Sequence, residues 1–144
     1  MSSALTILRM NTSPAFEHLL ASASAQTDPQ VLLFVFAGAE LPSDATPAQR
    51  KSFEQGRGGE LTPLMCVEKE LGDLSTFDAL VSESREVGPP WQVVFAAGLS
   101  GANGRPPSGS VVEKALNSMV DRVQHGAVQG LLALSATGEV LTFS

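Results

Sequence analysis

The stretch AAGLSGANGRPPSGS, residues 96–110, gathers the residue types most able to do chemistry. Gly98, Gly101 and Gly104 would let backbone amides approach an anion, a helix opening at Ser110 would present its positive end, and Arg105 would pair with the bound charge. The chemistry implied is the binding of a phosphate or another small anion. The spacing fits neither GxxxxGK followed by Ser or Thr nor GxGxxG, so neither a P-loop nor a dinucleotide fingerprint is present. A connection of this length is equally compatible with a plain loop.

Three further residues are accessory candidates. Arg50, near the start of a short helix, is placed to share an anion with Arg105, whereas Glu68 and Cys66 would be the base and the thiol of a small enzyme. Cys66 lies in PLMCVEK without a helix start or basic neighbour to make it a thiolate, so a small buried hydrophobe is the simpler expectation. Glu68, Glu70 and Asp73, with Glu40 and Asp44, would form an acidic rim at the strand ends, either a magnesium site or a solvated surface. No catalytic constellation is legible, and neither a cofactor nor a resident metal is expected.

Composition narrows the classes. The 144 residues suffice for one domain burying about 70% of its unfolded surface. With 43% apolar residues, no Tyr, one Trp and seven Phe, that core is mainly aliphatic. A net charge of −6 opposes a phosphate backbone, and the nine Lys and Arg form no patch, so nucleic acid is excluded as the expected partner. A single cysteine rules out an internal disulfide and any cysteine-rich metal site. The opening MSSALTILRM lacks a basic n-region, and its apolar piece is too short for a signal peptide or a membrane span; a cytoplasmic setting with no membrane contact is expected.

These residues need elements to position them. Residues 1–11 are expected to be a flexible tail and 12–144 a single α/β domain. Thr12 or Ser13 caps a helix with Pro14 in its first turn, and VLLFVFAG (31–38) is a strand covered on both faces. Thr46 and Pro47 open a short helix that Gly56 stops, and ELTPLMCVEKE is a strand whose Pro63 argues for an edge or a beginning. Ser75 with Asp78, and Ser110 with Glu113, are read as capping boxes of two further helices, separated by the strand WQVVFAAG. Gly126 ends the last helix, and GLLALSATGEVLTFS turns back on itself at Thr137 and Gly138. The order αβαβαβαββ implies right-handed crossovers and a mostly parallel sheet flanked by helices, with a C-terminal hairpin. A shift of 61 residues superposes Phe16 on Phe77 and Phe34 on Phe95 without a gap, consistent with a duplicated αβαβ half.

The run from LFVFA through LPSDATPAQ to LTPLMCV, with WQVVFAAGLSG after it, resembles a group of small proteobacterial proteins of unknown function, often labelled "ribonucleotide reductase subunit alpha". Such a reductase uses several cysteines in a much longer chain, and Cys66 stands alone, so the label transfers no catalytic residue. The segment LTPLMCVEKELGDLSTFDAL is also similar to the N-terminal module of SseB-like secretion-system enhancers, a resemblance that implies a protein-interaction domain. The expected function is a non-catalytic binding or regulatory module acting on a protein partner. The alternative is a small enzyme or anion-binding protein using the glycine-rich loop 98–110. A homodimer through the unpaired strand EVLTFS is expected as well.

Overall fold

The computed structural model describes residues 13–40, 44–54 and 60–143. The tail expected at 1–11 and the helix stop at Gly56 lie outside them.

Helix α1 (Pro14–Ser24) begins where the Ser13 hydroxyl accepts from the Phe16 amide at 3.3 Å, with Pro14 in the first turn. The same hydroxyl donates to the Gly138 carbonyl at 2.8 Å, tying the helix start to the C-terminal turn. Strand β1 (Gln30–Glu40) follows. Helix α2 (Pro47–Glu54) opens on a reciprocal box in which Thr46 accepts from the Gln49 amide and the Gln49 side chain accepts from the Thr46 amide.

Strand β2 (Glu60–Glu70) ends in a single 3-10 turn, Leu71–Asp73. Helix α3 (Phe77–Val87) is capped by Thr76, one residue after the expected Ser75. Strand β3 (Val93–Ser100) leads to helix α4 (Gly109–Gln124), capped by Ser108 rather than Ser110. After α4, Gly126 takes the left-handed conformation, and the Arg122 guanidinium donates to the carbonyls of Ala127 and Gln129. Strand β4 (Leu132–Ser135) is last. The chain then turns at Gly138, and residues 139–141 bond back onto β4 around the isolated Leu134–Val140 bridge, so the expected C-terminal hairpin keeps its turn but its second strand is reduced to a single bridge.

The four strands form one sheet in the order β2-β1-β3-β4, and every neighbouring pair is antiparallel. The expected mostly parallel sheet is therefore overturned. Long apolar runs in β1 and β3 read as parallel strands because parallel strands are normally buried on both faces. Here helices cover both faces of an antiparallel sheet and produce the same apolar signal. Helix α2 returns the chain to an antiparallel neighbour instead of crossing over, whereas β2 and β3, joined through α3, are parallel but separated by β1. The gap-free shift of 61 also fails in the strands: it places Leu32 on Val93, which face opposite sides of the sheet.

One face packs Leu32, Phe34, Phe36, Val94, Ala96 and Leu134 against Phe16 of α1 and Phe77, Leu80 and Val81 of α3. The other packs Val31, Leu33, Val35, Val93 and Phe95 against Val112, Met119 and Val123 of α4. The polar exceptions inside are satisfied: the Trp91 indole donates to the Ser84 hydroxyl at 2.8 Å, which donates to the Val81 carbonyl at 2.6 Å. No helix among the described residues is long and apolar enough to cross a membrane.

Phe34→Ala, which empties a site 1% exposed, is expected to cost about 3–5 kcal/mol in denaturant unfolding. Ser84→Ala leaves the buried Trp91 N–H without its acceptor and is expected to cost about 1–3 kcal/mol in the same assay.

Candidate binding site

The glycine-rich segment forms a closed turn. The amide of Ala102 donates to the Arg105 carbonyl and that of Arg105 to the Ala102 carbonyl, both at 3.0 Å. Asn103 and Gly104 between them have φ of 55° and 75°, the positive pair of a type I′ turn, for which Asn-Gly is the preferred sequence. The Gly101 amide donates to the Pro29 carbonyl at 2.8 Å, and the Gly104 amide donates to Oδ1 of Asp28 at 2.9 Å. Four amides that would have faced an anion are thus taken by the protein, and the negative charge at Gly104 is the protein's own carboxylate.

Gly101 is required for close approach, since a Cβ there would lie 1.9 Å from the Arg105 carbonyl oxygen. Gly98 is an ordinary strand residue opposite Leu32. Arg105 is exposed, and Ser110 sits in the first turn of α4 with its hydroxyl 3.3 Å from that of Ser108.

Antiparallel pairing also redistributes the other candidates. Glu40 faces Glu60 at one end of the sheet, whereas Glu70 faces Val31 at the other, so the acidic residues expected to share a rim are divided between the two ends. Arg50, on α2, belongs to the connection at the Glu40 end, while Arg105 follows β3 at the Glu70 end. The two arginines cannot share a ligand. Among the described residues no three His, Cys, Asp or Glu side chains gather as metal ligands. His125 bonds only within its own turn, its Nδ1 lying 2.8 Å from the Asp121 carbonyl oxygen. Cys66, expected to be buried, is exposed, because it faces away from α3 in a strand that, among the described residues, has a strand neighbour on one side only.

That strand is the more distinctive surface. β2 is 11 residues long and, among the described residues, pairs with β1 alone. A register shift beside Phe36 and Ala37 leaves Leu64 unpaired next to Pro63, consistent with the edge position that the proline implied. Side chains then alternate: Met65, Val67 and Lys69 turn toward α3, and Cys66, Glu68 and Glu70 toward the α4 side.

Between β2 and α3 lies a shallow, open apolar recess, floored by Phe36 and walled by Met65 and Val67 on one side and Leu80, Ser84 and Val87 on the other. Lys69 bridges the two walls by an ion pair to Glu83 at 2.5 Å. The Met65 thioether packs against the end of α3 at Gly88, where a Cβ would lie 2.8 Å from its sulfur. Val87 remains 71% exposed at the rim. Met65, Val67, Leu80, Glu83 and Val87 were not singled out from sequence. Their signal was the alternation in LTPLMCVEKE, which marks a half-covered strand without indicating which edge is free.

No protein-family model matches the chain, and no curated protein and no solved structure is found to be similar to it. The reading therefore rests on geometry.

Gly101→Ala is expected to lower the melting temperature clearly, because the backbone must open to admit the methyl group, while Arg105→Ala leaves it unchanged. Inorganic phosphate at millimolar concentration is expected to produce no Arg105-dependent thermal shift.

Proposed function

We propose that this protein is a non-catalytic interaction module that binds other polypeptides along the outer edge of β2. The carrying observation is the juxtaposition of an 11-residue edge strand, paired on one side only among the described residues, with an apolar recess against α3. An edge strand offers a ladder of free backbone donors and acceptors, and a recess beside it selects alternate side chains of whatever adds to that ladder. A cytoplasmic setting would keep the exposed Cys66 reduced.

The anion-binding alternative loses support because Asp28, Pro29 and the turn itself occupy the amides it needs. The expected dimer edge changes too. Residues 139–141 return onto β4 and Phe143 packs in a tilted contact on Phe95 with ring centroids 5.6 Å apart, so a sheet continued by a second chain would use the longer β2.

The test is selection of random peptides displayed on phage against the wild type, followed by amide chemical-shift mapping of the winners. Peptides that shift residues 60–70 and 80–87 and lose at least tenfold in affinity against Val67→Glu are expected. Failure of the selection, together with a metabolite that binds elsewhere in a thermal-shift screen, would overturn the module reading.

A further inference from the structure

Resting on the reading of β2 as the working edge, the geometry points to a particular partner: an extended segment of another protein whose residues alternate between apolar and basic. Two faces of the strand demand two kinds of side chain. On the α3 face a strand laid beside β2 places alternate residues next to Met65, Val67 and the exposed Val87, where apolar groups exclude water. On the opposite face its intervening residues stand across from Glu68 and Glu70, which are exposed and in no ion pair among the described residues. Lysine or arginine there gives opposite-charge cross-strand pairs, whereas acidic residues would oppose like charge directly.

The same geometry disfavours a second copy. Two β2 strands pairing antiparallel about a twofold axis perpendicular to the sheet keep each residue on its own face. Lys69, the one cation in the strand, stays on the α3 face with Glu83 and cannot stand opposite the partner copy's Glu68 or Glu70. A copy therefore brings more carboxylate to the acidic face and nothing to neutralise it, and each copy adds its own charge of −6.

The experiment uses the full chain and three fluorescein-labelled eight-residue probes: alternating Val and Lys, alternating Val and Glu, and the Val/Lys peptide with proline at its centre. Anisotropy titrations are expected to show Val/Lys binding at least tenfold tighter than either of the others, with amide shifts concentrated in residues 60–70. Glu68→Lys with Glu70→Lys should reverse the preference toward Val/Glu, whereas the same charge change at Glu17 and Glu139 should leave it intact; circular dichroism verifies that both variants fold. Equal binding of the proline peptide would reduce the effect to charge attraction and overturn strand addition. Equal binding of Val/Lys and Val/Glu with shifts in β2 would overturn the basic partner while the module reading stands. A dimer in light scattering that Val67→Glu abolishes would overturn it in favour of a second copy. Absence of any shift in 60–70, from these probes and from the phage-selected peptides alike, would overturn both.

Discussion

Everything in this fold depends on the burial of β1. From Val31 to Ala37 its side chains are at most 4% exposed, alternating between two separate cores, and its backbone is paired on both sides. A strand apolar on both faces is stable only with a helix layer above and below and a strand to each side, because an unpaired buried amide or carbonyl is costly. β2 and β3 satisfy that demand for hydrogen bonds, and α1, α3 and α4 supply the two layers. The outer strands take what is left: β4 is 4 residues long and backed by the returning C-terminal segment, and β2 is long and has β1 as its sole strand neighbour among the described residues.

The asymmetry between the two edges follows from this arrangement. On the β4 side residues 139–141 fold back and Phe143 packs on Phe95, so that edge is short and partly covered. On the β2 side the protein relies on the usual protections against indiscriminate pairing, a bulge with a proline at one end and charges at the other. They leave Met65, Cys66 and Val67 in the middle, beside the recess that α3 forms with the strand. A surface guarded at both ends and apolar at the centre suits selective addition of a strand better than a small-molecule pocket does, since a recess this open encloses little of a ligand.

The glycine-rich loop illustrates how one local motif serves two purposes. Glycines that let a backbone approach a phosphate also let it approach another stretch of backbone, and here Gly101 admits the Arg105 carbonyl while Asn103 and Gly104 make a tight reversal. Asp28, brought alongside by the antiparallel pairing of β1 with β3, supplies the anion that the Gly104 amide would otherwise seek. The residues were legible as an anion cradle because spacing alone does not reveal which distant side chain arrives to fill it.

Local signals in the sequence by themselves determined the alternation of helices and strands as far as β4, the extent of β2 as residues 60–70, a helix start just before Pro14, the Thr46 cap, the turn at Gly138 and the placement of Pro63 away from the sheet's middle. Each is decided by a few adjacent residues: a hydroxyl three positions from an amide, a positive φ, a missing N–H. Strand direction, the exposure of Cys66, the separation of Arg50 from Arg105 and the pairing of β2 with α3 were decided only by the tertiary structure. An apolar run has the same composition whether its neighbour runs parallel or antiparallel, and the choice is made by contacts between residues tens of positions apart. The candidate site belongs to that second group: its walls come from two elements whose alternation and stripe are each visible in sequence, but the gap between them exists only in the folded chain.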